Sequence, residues 1–83
     1  MNTIGQRIRY ARKRSGLKYE VIVHRLEAPG PCRVSRGILS RYERDINEPT
    51  AGKLGRVARV LGVTTDWLVY GSPLSGAPNN EDA

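Results

Sequence analysis

Apolar residues recur along this chain at intervals of three and four, and the pattern resolves into five separate stripes. Ile4, Ile8 and Ala11 form the first, the spacing of one face of an α-helix. Thr3-Ile4-Gly5-Gln6 reads as a capping box at its start, with Thr3 at the N-cap and Gln6 reaching back. Gly16 is placed to end this helix in a left-handed conformation. Tyr19, Ile22, Val23 and Leu26 make the second stripe, on a helix of about residues 18–26. Ile38, Leu39 and Tyr42 make the third, opened by Ser35, whose hydroxyl can accept from a first-turn N–H. Leu54, Val57, Ala58 and Leu61 make the fourth, between a Thr50 cap after Pro49 and a terminating Gly62. Thr64 caps a short fifth helix, T-T-D-W-L-V-Y, which stops at Gly71. Its large apolar groups, Trp67 and Leu68, are available either to close the bundle or to meet a partner. No segment alternates with the period of a strand, so the expected class is all-α, a compact five-helix bundle.

Two stretches interrupt the helical periodicity. Glu27 to Arg33, E-A-P-G-P-C-R, sets two prolines about Gly30, so neither neighbouring helix can run through it. Residues 72–83, S-P-L-S-G-A-P-N-N-E-D-A, are rich in Ser, Pro, Gly and Asn and offer little to bury. The expected division is therefore a folded domain over residues 1–71 and a flexible polar tail or linker over 72–83.

Composition narrows the function. The 83 residues suffice for one small domain with a thin core. Formal net charge is +6, and all 14 Lys and Arg precede Gly71, so the folded part is strongly basic. A compact basic domain attracts polyanions, of which nucleic acid is the commonest intracellular case. The arginines are spread over several helices and do not line one amphipathic helix, which favours nucleic acid over a membrane surface. Cys32 has no second cysteine to pair with, and neither membrane-spanning run nor signal peptide is present, so a cytoplasmic protein is expected. His24 and Cys32 alone do not make a metal site. There is no nucleophile–base pair around His24, no carboxylate dyad and no phosphate-cradling loop, so the reading is not an enzyme. No cofactor and no small-molecule ligand is evident.

The third helix carries the chemistry. Behind its apolar stripe lie Arg36, Gly37, Ser40, Arg41 and Arg44, a front of arginines and small residues. Such a front can approach a groove closely and donate bidentate hydrogen bonds. The stretch V-S-R-G-I-L-S-R-Y-E-R resembles the recognition helix of the lambda-repressor-like helix-turn-helix family, which includes phage repressors and XRE-type regulators. I-G-Q-R-I-R-Y-A-R-K-R-S-G-L upstream and E-P-T-A-G-K-L-G-R-V-A-R-V-L-G-V-T-T-D-W-L downstream extend the resemblance over about residues 4–71. It departs from the family at Lys18-Tyr19, where members usually carry Thr-Gln, and at 27–33, where the turn is ordinarily shorter.

The resemblance implies a lambda-repressor-like domain with a lengthened turn between helices 2 and 3. It implies a transcriptional regulator, a repressor, that reads double-stranded DNA in the major groove with helix 35–44. The protein would act as a homodimer on a palindromic operator, and would lie with the nucleoid when bound. The base-reading positions correspond to Arg36, Gly37 and Arg41, with Ser40 close by, and two arginines there call for G·C pairs in the half-site. Candidate phosphate contacts are Lys18, Tyr19, Arg33, Ser35, Arg44 and Asn47. The family also implies an ion pair between Arg12 and Glu43, tying helix 1 to the reading helix, and a dimer contact on helix 5 through Trp67 and Leu68. The alternative is a protein-binding module of the same fold, such as an antitoxin, for which the polar tail offers only Leu74 as an anchor.

Overall fold

The computed structural model describes residues 2–71 and residue 77. The expected flexible tail therefore lies, apart from Ala77, outside the described residues. Five helices follow in order: α1 (Ile4–Arg14), α2 (Tyr19–Glu27), α3 (Arg36–Glu43), α4 (Ala51–Leu61) and α5 (Thr65–Tyr70). No strand occurs among the described residues.

Hydroxyl caps set four of the five starts. Thr3 Oγ1 accepts from the Gln6 N–H at 3.1 Å, and Ser35 Oγ from that of Ile38 at 3.2 Å. Thr50 and Thr64 do the same for α4 and α5, accepting from Lys53 at 3.4 Å and Trp67 at 3.1 Å. Each satisfies one N–H that has no partner within its own helix. The α1 box is not closed as its sequence predicts: the Gln6 side chain accepts from the Asn2 N–H, one residue before the cap. Lys18 begins α2 with no side-chain cap.

α1 lies at the centre of the packing, against α3, α4 and α5, while α2 packs on α3 and α4. Ile8, Ile22, Leu26, Leu39, Val57 and Leu68 are the fully buried large side chains contributed by the helices, one or more from each of the five. Their burial at roughly 1.5–3 kcal/mol per side chain is the main force assembling the bundle.

One consequence of this core differs from the sequence reading. Trp67 is 4% exposed and Leu68 0%, so both are used inside the bundle and neither offers surface for the expected dimer contact. With only six residues, α5 holds its place by burying Trp67 and Leu68 against α1 and α4. Arg7 is also buried, at 7% exposure. Its Nε and Nη2 donate to the Leu68 and Val69 carbonyls at 2.6 and 2.7 Å. It thereby serves carbonyls that the end of α5 leaves without helical partners.

The close approach of α1 to the end of α3 requires Gly5. A Cβ there would stand 2.3 Å from the Tyr42 carbonyl oxygen and 2.6 Å from Asp45 Oδ1. Asp45 follows α3 in the left-handed region, at φ 58°. Its carboxylate crosses to the start of α1, accepting from Gly5 N–H at 3.0 Å and from Thr3 Oγ1 at 2.7 Å. An anion at that helix end is doubly favoured, by the free N–H groups and by the helix dipole.

The 27–33 segment is a folded connection. The Val34 N–H returns to the Leu26 carbonyl at 2.9 Å. Arg56 of α4 donates to two of its carbonyls, those of Ala28 and Pro31, at 2.8 and 3.1 Å, and to that of Arg25 in the last turn of α2 at 3.2 Å. Arg33 Nε closes the same stretch on the Glu27 carbonyl at 2.7 Å. Cys32 sits half-buried within it, with a positive φ of 67°.

Candidate nucleic-acid interface

α3 is anchored by one side and open on the other. Leu39 and Tyr42 are buried and Ile38 packs against the same core. Arg36, Gly37, Arg41 and Arg44 are exposed, and Ser40 is half-exposed between them. At about 100° per residue these five positions occupy about 140° of the helix circumference. A Cβ added at Gly37 would meet nothing within 4 Å, so the helix surface is open at that position.

Two of the exposed arginines on this face, Arg36 and Arg41, are each held by a side chain from another segment. Arg36 donates through Nη2 to Glu20 on α2, and its guanidinium carbon lies 5.1 Å from the centroid of the Tyr19 ring. The bond to Glu20, first among the causes, raises the Arg36 pKa. Its backbone N–H donates to the Glu27 carboxylate at 3.0 Å, serving the start of α3 together with Ser35. Arg41 Nε donates to Asn47 Oδ1 at 2.5 Å, from the loop that follows α3.

Arg12 and Glu43 stand behind this face. Arg12 Nε and Nη2 donate to the two Glu43 oxygens at 2.6 and 2.9 Å, a bidentate pair whose side chains are only 20% and 11% exposed. That bond, first among the causes, raises the Arg12 pKa. Arg12 also lies 5.1 Å from the Tyr19 centroid. A continuous series of contacts therefore runs from Glu43 through Arg12, Tyr19 and Arg36 to Glu20, joining α1, α2 and α3.

The remaining candidates are placed unevenly. Lys18 is exposed at the start of α2, where Tyr19 is half-buried between the two arginines. Ser35 has its hydroxyl occupied as a cap, and Arg33 is committed to the Glu27 carbonyl. Arg44 is exposed with a long contact, 3.4 Å, to the Ser40 carbonyl. Asn47 is exposed but engaged by Arg41, so its oxygen orients a neighbour. Among the described residues no group of three or more His, Cys, Asp or Glu could hold a metal ion. No helix of the described chain is long and apolar enough to cross a membrane.

The sequence matches the helix-turn-helix family over residues 8–68, most of the chain. The chain belongs to the helix-turn-helix family. Its fold is similar to that of the P22 c2 repressor, in a crystal structure with the synthetic operator 9T in the presence of Tl+. The similarity has a TM-score of 0.70 at 25% sequence identity, and covers 87% of this chain and 100% of that one. No curated protein sequence matches. As a helix-turn-helix protein of lambda-repressor type, it has α2 and α3 as its motif and the 27–33 segment as an enlarged turn.

Reading the sequence missed four residues that shape this helix-turn-helix site: Glu20, Glu27, Asp45 and Arg56. Each is an ordinary surface charge by local pattern, and its partner lies nine or more residues away. A weak signal existed for Glu20, which shares the first turn of α2 with Tyr19, one residue from the expected contact positions.

Proposed function

We propose that this protein is a sequence-specific regulator of transcription, a repressor, that binds double-stranded DNA with α3 in the major groove. The observation that carries the proposal is the outward face of α3: Arg36, Gly37, Ser40 and Arg41 exposed or half-exposed on a helix fixed from behind by Leu39 and Tyr42. Arginine pairs bidentately with guanine O6 and N7, so half-sites carry G·C pairs where Arg36 and Arg41 reach. Lys18 and Arg44 flank this face as exposed cations and serve as phosphate contacts that set the register. The P22 c2 repressor, whose fold is similar, is bound to an operator in its crystal structure.

The protein binds as a two-fold dimer, because one reading helix covers too few base pairs for useful discrimination in a genome. Since Trp67 and Leu68 are inside, the contact uses what α5 leaves open, where Tyr70 is 77% exposed. The role is regulatory and non-enzymatic.

Selection of bound sites from random duplex DNA, followed by fluorescence anisotropy on the winner, tests the reading. A palindromic motif containing G·C pairs is expected. Affinity should fall with salt along a log–log slope of about −0.9 per phosphate contacted. Absence of duplex binding at ~50 mM salt, where electrostatic attraction is strong, would refute it.

A further inference from the structure

Arg36 is held entirely by α2. Glu27 takes its backbone N–H, Tyr19 underlies its guanidinium, and Glu20 accepts from Nη2. The side chains of Arg36 and Glu20 are 48% and 73% exposed, so their ion pair contributes little to the stability of the fold. Its effect is on where the guanidinium points.

We propose that Glu20 is the specificity-determining partner of Arg36, a positioning residue that holds the guanidinium in the pose that reads guanine and denies it other poses. The inference rests on the DNA-reading assignment of α3 made above. Arginine has five N–H donors, and the bond to Glu20 uses one, leaving enough for the parallel pair that guanine O6 and N7 accept.

An untethered arginine at this position would have two ways to bind. Its guanidinium fits a phosphate as well as a guanine, so on a wrong base pair it could swing to the backbone and keep its affinity. The bond to Glu20 and the Tyr19 ring oppose that swing. Opposite adenine the held guanidinium faces an N6 donor with no second acceptor, and the mismatch is felt in full. Pre-ordering also lowers the entropy lost when the side chain docks on the correct base. Glu20 adds a further bias of its own. Its carboxylate stands beside a surface meant for a polyanion, so it weakens attraction to every duplex alike and only the correctly read one compensates.

The test compares Glu20→Gln, Arg36→Ala and the double variant with the parent, by anisotropy on the selected site and on duplexes altered one base pair at a time. Arg36→Ala defines the position that Arg36 reads, as the one where preference flattens. At that position Glu20→Gln should lose roughly tenfold in discrimination, the scale of one bidentate base contact. It should bind random duplex more tightly than the parent, melt at the parent's temperature, and add no loss of preference when Arg36 is already alanine. The proposal is overturned if Glu20→Gln keeps the parent's preference, weakens all duplexes equally, or acts the same with Arg36 absent. It also falls if Arg36→Ala flattens no position. A parent without sequence preference removes the DNA-reading assignment and this proposal together. A selective parent with an indifferent Glu20→Gln removes this one alone.

Discussion

Arg12 and Glu43 form a two-bond pair set largely out of solvent, and each would leave the other's hydrogen-bonding groups unmatched if removed. Arg12→Ala or Glu43→Ala should cost about 1–3 kcal/mol, while exposed Lys13→Ala costs little. Thermal melts that place all three variants with the parent would remove the pair from the account of stability. Two glycines make an opposite pair of cases. Gly5→Ala drives a methyl into the Tyr42 carbonyl, an unyielding backbone atom, and should destabilise by about 1–3 kcal/mol. Gly37→Ala meets open space within an exposed helix and should stabilise the free protein by about 0.5–1 kcal/mol. If Gly37 is there for close approach to DNA, the same methyl weakens operator binding, so denaturant melts and anisotropy should move in opposite directions. Operator affinity unchanged in Gly37→Ala would show that nothing approaches this position closely.

At the scale of the element, α3 divides its arginines by what holds them. Arg36 and Arg41 are oriented by side chains of other segments, Glu20 and Asn47, whereas Arg44 makes only a long contact with its own helix. Arg36→Ala and Arg41→Ala should therefore erase preference at particular base pairs, and Arg44→Ala should weaken all duplexes alike. Equal losses on cognate and random DNA for the three variants would reverse these assignments. The helices and most of their caps were legible in the sequence, because a hydroxyl cap and a 3.6-residue stripe are local properties. The enlarged turn was legible as an interruption but not as a structure. Its order comes from Arg56, more than twenty residues downstream, and no local pattern marks an arginine that will meet three carbonyls.

For the whole molecule, the expectation that failed concerned the division between inside and outside. The family resemblance implies a dimer contact through Trp67 and Leu68, whereas their size alone suits them equally to closing the bundle. A domain this small still needs its fifth helix to cover α1 and α4, so the two groups were drawn in. Leu68→Lys would therefore unfold the protomer and says nothing about pairing. A charge on exposed Tyr70 is the informative change. On a palindromic duplex, sedimentation should give two chains per site for the parent, and Tyr70→Glu should bind with reduced cooperativity. One parent chain per full site would end the dimer proposal. Asp45 bears on a different matter, the order in which the chain comes into existence. Thr3 and Asp45 are 42 positions apart, and the carboxylate that receives the N–H and hydroxyl at the start of α1 belongs to the turn after α3. At roughly 5–20 residues per second of synthesis, α1 leaves the ribosome seconds before Asp45 is made. During that interval its first turn has only the Thr3 hydroxyl and water to rely on, so the earliest helix to be synthesised cannot be the earliest to be finished.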